Sequence, residues 1–153
     1  MNQDQVSVLL INISDLKFSF PVEIINRVIL SQEIIPVGNT NGIVKGLINL
    51  HGEVIPVVSL RKRFSLPETK ITSENLFLIL SFKNLTVAII ADSVEGVEML
   101  NKSDIKLYKE ILPGMSELEF FTKNEGIYYI YNTENLLSAE EEEDVRNLNV
   151  HES

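Results

Sequence analysis

Short apolar runs separated by polar turns dominate the chain. Mostly apolar runs occupy residues 6–13, 76–82 and 85–91, and the first of them is rich in β-branched side chains. The breaks between such runs carry turn-forming residues, as at Ser14-Asp15 and Lys83-Asn84. Several short strands at this spacing predict an all-β barrel or sandwich, with short helical turns between some of the strands.

One stretch predicts its local structure in detail. Two apolar runs, residues 47–50 and 54–58, flank the dipeptide His51-Gly52. A two-residue loop that ends in glycine predicts a β-hairpin whose two central residues have positive φ. Glycine adopts that conformation without steric cost, and histidine is found there more often than most residues. We therefore expect His51 at an exposed tip, with Gly46 and Gly52 as structural turn glycines.

Two further positions in strand-like segments carry backbone signals. Pro56 cannot donate a ladder hydrogen bond, so its nitrogen is expected to face a sheet edge or a bulge. Gly96 lies inside an apolar segment and indicates a bulge there.

The two halves of the chain resemble each other. Residues 14–28 align with residues 83–97 at an offset of 69, and residues 54–64 align with residues 127–137 at an offset of 73. Matched positions share apolar character more than identity. The pattern predicts two similar small barrels in tandem.

The predicted barrels cover about residues 14–66 and about residues 74–137, and the N-terminal strand is a candidate for sharing between them. Barrels of about 65 residues bury too little surface to be stable alone, so we expect them to pack on a common core. Together they form one predicted domain over residues 1–139. Residues 140–153 form an acidic segment, predicted to be a helix or a tail, which Ser138 can cap.

The charge balance limits the partners. The chain of 153 residues has a formal net charge of −9, whereas nucleic acids and anionic membranes require a basic face. No apolar run approaches the roughly 20 residues of a membrane helix, and the N-terminus lacks the positive segment of a signal peptide. We expect a cytoplasmic protein that binds no nucleic acid and does not insert into a membrane.

Candidate chemistry is sparse. The chain has no cysteine and two histidines, so no thiolate metal site or thiol nucleophile is available. His51 and Glu53 would share one face of a strand, but a metal or acid–base site needs further ligands. We expect no catalytic residues, no metal and no cofactor.

Three segments resemble one family. Residues 46–64 follow the pattern G-x-x-N-L-x-G-x-x-x-P-V-x-x-L with basic residues and Phe after it, which resembles the hallmark stretch of CheW-like domains. Residues 87–97 and 127–137 resemble a strand pair and the closing strand of that family. The resemblance covers roughly residues 6–138, with the motifs in family order.

The resemblance implies a fold and a function. The fold would be two Src-homology-3-like β-barrels packed around a shared core. The function would be that of a non-enzymatic adaptor in bacterial chemotaxis. One surface would bind the regulatory domain of a histidine kinase, and the groove between the barrels would bind the hairpin tip of a chemoreceptor. The protein would then lie at membrane receptor arrays only through its partners.

The resemblance also selects candidate contacts. His51 occupies the position of a family Arg associated with receptor binding, Ile29 that of a Glu, and Ser59 that of an Asp. The candidate partner-binding residues are Ile29, Ile43, Asn49, His51 and Val97 near the groove, with Ser59 and Arg61 on the first barrel.

Three alternatives remain open at this point. The first is an adaptor of a chemotaxis-like pathway with another output, such as pili or gliding. The second is a detached kinase regulatory domain. The third is a small β-barrel enzyme, which is disfavoured because no nucleophile, base and orienting group can be assembled from these residues.

Overall fold

The computed structural model describes residues 3–38, 42–112, 115–131 and 136–151, with side chains for 3–38, 42–107, 119–131 and 136–149. Strands dominate this part of the chain, as the apolar pattern predicts. The strands are β1 (Gln5–Ile13), β2 (Leu16–Pro21), β3 (Ile25–Leu30), β4 (Val44–Leu50), β5 (Glu53–Val58), β6 (Leu76–Phe82), β7 (Leu85–Ala91), β8 (Ser93–Asn101), β9 (Lys106–Leu112), β10 (Met115–Lys123), β11 (Gly126–Ile130) and β12 (Val150–His151). The α-helices are α1 (Leu60–Arg63) and α2 (Ala139–Leu148), and 3-10 turns lie at Val22–Ile24 and Lys102–Asp104.

The strands form two sheets. Sheet A has the order β8-β1-β2-β11-β10-β9, and sheet B has the order β12-β5-β7-β6-β3, with β4 beside β5. The expected division into barrels at about residues 14–66 and 74–137 does not match this pairing. Strand β2 pairs with β1 and β11 in sheet A, whereas β6 and β7 join sheet B. The reason is that each hairpin, β1–β2 or β6–β7, stays in one sheet while the chain crosses to the other sheet after it.

The strand registers confirm the predicted repeat at an offset of 69. In the β1–β2 hairpin, Leu9 pairs with Phe20. Adding 69 to both numbers gives Leu78 and Ile89, which pair with each other in the β6–β7 hairpin. The repeat therefore extends from the sequence to the strand pairing of the two hairpins.

The second offset, 73, relates the other two hairpins. The turn His51-Gly52 between β4 and β5 has φ values of 54° and 88°, which confirms the predicted positive-φ turn. The equivalent turn between β10 and β11 is Asn124-Glu125, with φ values of 49° and 64°. Of the matching segment 127–137, residues 132–135 lie outside the described residues.

The predicted bulge in β8 is confirmed. Val94 pairs with Ile11 and Gly96 pairs with Leu10, so Glu95 is the extra residue of the strand. Gly96 has a φ of 132°, a conformation that L side chains rarely adopt.

Three apolar clusters hold the sheets together. The central core takes residues from both sheets, for example Leu9 and Phe20 from sheet A and Leu78 and Ile89 from sheet B. Each sheet also encloses a smaller cluster of its own. Strands such as β1 are buried on both faces, because one face lines the central core and the other lines the barrel, and such strands carry continuous apolar runs.

Candidate partner-binding surface

His51 lies at the exposed tip of the β4–β5 hairpin. The side-chain Oδ1 of Asn49 accepts a hydrogen bond of 2.9 Å from the backbone N–H of Gly52. The carbonyl of Asn49 in turn accepts a bond of 3.0 Å from Nε2 of Gln32. The tip is thus braced by its own side chain and by the preceding loop, and the His51 side chain is presented to solvent.

Gly46 lies where the preceding loop crosses strand β4. A Cβ atom at this position would lie 2.5 Å from the carbonyl oxygen of Ile35 and 2.6 Å from Cγ2 of Ile34. The close approach is fixed by two backbone hydrogen bonds of 2.8 Å between Ile35 and Leu47. Gly46 lies within strand β4 and not in a turn, and it is structural because a side chain has no room at this position.

Val97 is 63% exposed on the edge strand β8. Ile29, on the edge strand β3 of the other sheet, is half-buried and packs against the cluster inside sheet B. Because these strands border different sheets, the structure does not bring the two side chains into one continuous patch through strand pairing. Val97 is available to a partner, and Ile29 chiefly supports its own barrel.

Ile43 and Ser59 are corrections to the expected surface. Ile43 is 6% exposed in the central core, and Ser59 is 2% exposed. The backbone N–H of Ser59 donates to the Ile43 carbonyl at 2.8 Å. The Ser59 hydroxyl accepts from the backbone N–H of Lys62, capping α1, and donates to Glu68 at 3.0 Å. Their side chains pack and cap inside the protein instead of facing a partner.

Arg61 is mostly buried in an ion pair. Its Nη2 lies 2.7 Å from Oδ2 of Asp92, and its Nη1 donates to the carbonyl of Pro67 at 3.2 Å. The same Asp92 oxygen accepts from the backbone N–H of Ser14 at 2.7 Å. Arg61 therefore joins α1 to the β7–β8 junction and to the β1–β2 turn.

Glu68 extends this polar cluster. It forms an ion pair with Lys45 at 3.2 Å beside its bond to Ser59. Burial alone would raise the pKa of Glu68, but the hydrogen bonds from Ser59 and Lys45 and the charges of Lys45 and Lys62 outweigh burial and hold the pKa below its ordinary value. The cluster fastens the segment after α1 to the hairpin.

Three exposed apolar residues on the edge strands β3 and β8 were not predicted from the sequence. Met99 is 59% exposed beside Val97, and Leu30 and Val28 are 72% and 42% exposed on β3. The repeat could have indicated them, because adding 69 to Val28 and Leu30 gives Val97 and Met99. Both edges thus present an equivalent pair of exposed apolar side chains.

Within residues 3–38, 42–112, 115–131 and 136–151, no group of three or more His, Cys, Asp or Glu residues is placed to hold a metal ion. Over the same ranges, neither helix has the length and apolar character needed to cross a membrane.

Comparison with known proteins identifies relatives of the whole domain. The family model of the CheW-like domain matches residues 7–141. The chemotaxis protein CheW of Treponema pallidum is 23% identical over 97% of this chain and 91% of its own length. The chemotaxis protein CheW of Bacillus subtilis is 41% identical over 40% of this chain and 39% of its own length.

A solved structure supports the fold. The scaffolding protein TtCheW from Thermoanaerobacter tengcongensis matches with a TM-score of 0.71 at 18% identity, over 83% of this chain and 88% of that protein. The predicted pair of Src-homology-3-like barrels on a shared core, with a C-terminal helix, is confirmed.

Proposed function

This chain belongs to the CheW-like domain family, and on that premise we propose that it is a non-enzymatic adaptor that couples chemoreceptors to a histidine kinase in bacterial chemotaxis. The observation that carries the proposal is the family match over residues 7–141. Relatives named as chemotaxis and scaffolding proteins support it.

The proposed mechanism is the apposition of two surfaces. One surface holds the regulatory domain of the kinase, and a second holds the hairpin tip of a chemoreceptor. A change in receptor packing then reaches the kinase through the geometry of a rigid two-barrel body, without covalent chemistry in the adaptor. The protein acts in the cytoplasm and reaches the membrane array through its partners.

We assign the receptor contact to side chains that are exposed: His51 with Asn49 at the hairpin tip, and Val97 on the edge strand β8. Met99 extends the apolar part of this surface. Ile29, Ile43, Ser59 and Arg61 support the contact from inside, because their side chains are engaged in packing or in hydrogen bonds.

His51 sets the chemistry of the tip. An arginine carries a permanent charge and a planar fork of five N–H donors, whereas an imidazole has only two ring nitrogens. We expect the receptor segment facing His51 to present a hydrogen-bond acceptor or an apolar surface and not an obligatory carboxylate.

Titration calorimetry tests the proposal. The chain is titrated with the isolated regulatory domain of a chemotaxis kinase from the same cell and, separately, with a receptor cytoplasmic hairpin. Saturable 1:1 binding to both is expected. His51→Ala should weaken receptor binding about tenfold, as expected for a central contact, while kinase binding stays unchanged.

Matched variants control this test. Asn124→Ala alters the equivalent tip of the second hairpin and should leave receptor binding unchanged. Val97→Asp should weaken receptor binding, whereas Leu107→Asp, at a residue of similar exposure on the edge strand β9, should not. A folded protein that binds neither partner from any matched set would refute the proposed function.

The altered tip also favours a second candidate, an adaptor for a chemotaxis-like pathway that controls pili or gliding. The observation behind it is His51 at a position where the family has Arg. This candidate gains if receptor binding fails with motility receptors of the cell and succeeds with receptors of the other pathway.

A further inference from the structure

The fold contains two parallel strand pairs, β2–β11 in sheet A and β5–β7 in sheet B, and each is called a seam below. The two seams occupy equivalent positions in the repeat, but their backbone groups are not hydrogen-bonded in the same way. In sheet A, β11 runs parallel to β2 through three register pairs, from Tyr128–Lys17 to Ile130–Ser19. In sheet B, β5 runs parallel to β7 through two pairs, the first of which is Val57–Ala88. The repeat offsets convert the first two pairs of sheet A into Ile55–Thr86 and Pro56–Val87, and neither is a register pair in sheet B, which has Val58–Ile89 instead. The pairing lost on the amino-terminal side therefore lies at Pro56.

Pro56 removes one donor from the seam of sheet B. In sheet A, the N–H of Tyr131 donates to the Ser19 carbonyl at 3.0 Å. Alternate residues of a parallel strand face the same neighbour, so the N–H two residues earlier, at Tyr129, faces the carbonyl of Lys17. The repeat places Pro56 at the position of Tyr129 and Thr86 at that of Lys17. Because proline has no N–H, β5 cannot supply a donor to the Thr86 carbonyl.

Asn149 supplies the hydrogen bonds that β5 does not. Its Nδ2 donates to the Thr86 carbonyl at 3.0 Å, and its Oδ1 accepts from the Thr86 N–H at 3.1 Å. A primary amide carries the same donor and acceptor as a peptide group. One side chain thus satisfies both backbone groups of Thr86 at the point where β5 and β7 stop pairing.

Helix α2 holds Asn149 in place. Asn149 is the C-cap of α2, and its backbone N–H donates to the Val145 carbonyl at 2.9 Å. Val145 is fully buried in the central core. Ion pairs of Glu141 with Arg63 and of Glu142 with Lys83 tie the first turns of the helix to the barrel. Helix α2 and its C-cap are therefore part of the structure that closes the seam.

The chain beyond α2 reaches the hairpin that carries the proposed contact. In β12, Val150 pairs with Val54 and His151 pairs with Glu53. Glu53 directly follows the His51-Gly52 turn. A displacement of α2 would consequently move β12 and disturb its pairing with Glu53 and Val54, at the base of the β4–β5 turn.

We propose that Asn149 is a positioning residue that replaces the N–H missing at Pro56, and that α2 with Asn149 is a strap that fixes the β4–β5 hairpin. The consequence for binding at Asn49 and His51 rests on the proposed function. The hydrogen bonding of Thr86 by Asn149 does not depend on the proposed function, and it can be measured in the isolated protein.

The decisive experiment combines amide hydrogen exchange with a double-mutant cycle in the full chain. Asn149→Leu keeps approximate volume and removes the amide, and Asn147→Leu is the matched control at an exposed residue of the same helix. We expect exchange at the Thr86 amide to accelerate about tenfold or more in Asn149→Leu and to stay unchanged in Asn147→Leu.

Pro56→Ala provides the second side of the cycle, because it returns an N–H to β5. The loss of thermal midpoint caused by Asn149→Leu should be smaller in the Pro56→Ala background than in the wild-type background. Equal losses in both backgrounds, or unchanged Thr86 exchange, would overturn the replacement of the Pro56 donor by Asn149.

Asn149→Asp keeps the proposal testable if Pro56→Ala fails to fold. The variant retains an acceptor for the Thr86 N–H but places a carboxylate against the Thr86 carbonyl. This contact raises the pKa of the introduced Asp in the folded state, so the variant should lose stability relative to wild type as the pH rises through that pKa. The same loss in Asn147→Asp would overturn the assignment.

Titration calorimetry then distinguishes a failure of the strap proposal from a failure of the proposed function. Asn149→Leu should weaken the same partner that His51→Ala weakens. An unchanged affinity together with faster Thr86 exchange would overturn the link between strap and hairpin alone. Failure of the wild-type protein to bind either partner would refute the proposed function while the exchange result still decides the seam.

Discussion

The two seams of this fold differ in chemistry although their registers are equivalent. In sheet A the bulge residue Glu95 accepts hydrogen bonds of 3.0 and 3.2 Å from the Tyr128 hydroxyl and pairs with Lys17 at 3.2 Å. The equivalent positions in sheet B are Asn26, Ile55 and Thr86. There the Asn149 side chain forms hydrogen bonds with the backbone N–H and carbonyl of Thr86. A repeat can therefore preserve strand register while each copy satisfies its polar groups by a different route.

The difference also separates a self-contained seam from a dependent one. The seam of sheet A is completed by residues of its own strands. The seam of sheet B requires a residue from α2, far along the chain. Polar backbone groups in a sheet must be paired wherever water is excluded, so the copy that contains a proline depends on an outside partner.

The largest expected effect is at Gly46, which has no counterpart glycine in the second hairpin, where Glu119 occupies the equivalent position. Gly46→Ala places a methyl group 2.5 Å from the Ile35 carbonyl. We expect a loss of about 3 kcal/mol in the free energy of unfolding, measured by urea titration, because backbone must move.

Gly42→Ala is the control for Gly46→Ala. A Cβ at Gly42 meets nothing within 4 Å. The free energy of unfolding should change by less than about 0.5 kcal/mol. Equal effects of the two substitutions would show that the crossing loop yields to the added methyl group.

Removal of the Tyr128 hydroxyl tests the seam of sheet A. Tyr128→Phe leaves Glu95 without that donor, and we expect a loss of about 1.5 kcal/mol in the free energy of unfolding. Tyr129→Phe, on the same strand, should cost less than about 0.5 kcal/mol. A cost at Tyr129 as large as that at Tyr128 would argue against a specific role for the Glu95 contact.

Tyr128 also carries a pH signature. Burial first, and then the hydrogen bond and charge of Glu95, raise the pKa of Tyr128 above its ordinary value of 10.0. Its contribution is present below that value and is lost as the pH rises through the higher folded-state pKa. The decline in stability of the wild-type protein above pH 10.0 should therefore be shallower in Tyr128→Phe.

The two hairpin turns permit a reciprocal exchange. Glu125 has a φ of 64° at the position where the first turn has Gly52. Glu125→Gly should stabilise the fold by about 0.5 kcal/mol, and Gly52→Ala should destabilise it by about 1 kcal/mol, because the left-handed conformation strains any residue with a Cβ. Chemical denaturation of both variants checks the signs, and like signs would contradict this explanation.

The smallest expected effect lies in the acid limb of the stability curve. The pKa of Glu68 is held below its ordinary value of 4.5 in the folded state, so its contribution is present above pH 4.5 and is lost as the pH falls through the lower folded-state pKa. Glu68→Gln should flatten this part of the curve, measured by thermal midpoints at stepped pH. Glu74→Gln, at an exposed residue of the same segment, should leave the curve unchanged.

Local chemistry explains which expectations were confirmed. The His51-Gly52 turn follows from two residues and their flanking apolar runs. The Gly96 bulge follows from one glycine in a strand. The repeat is visible because both copies need apolar residues at the same strand positions. These features depend on neighbours in sequence, which are available before the chain is folded.

The candidate site was less predictable because exposure is a property of the whole molecule. Ile43 and Ser59 flank the hairpin in sequence, yet both are buried, since the central core and the Glu68 cluster cover them. Leu30 and Met99 belong to apolar segments like those of the core, yet both are exposed because β3 and β8 end their sheets. Periodicity assigns a residue to a face and does not determine what covers that face.

The sequence by itself determined the β-rich class, the positive-φ turn at His51 and the internal repeat, because each rests on local backbone preference or on strand periodicity. Only the tertiary structure decided that the hairpins of the two halves are exchanged between sheets and that the acidic segment closes a seam at Thr86. Strand partners and hydrogen-bond replacements join residues distant along the chain, and their choice depends on which groups are left unsatisfied after the sheets have packed.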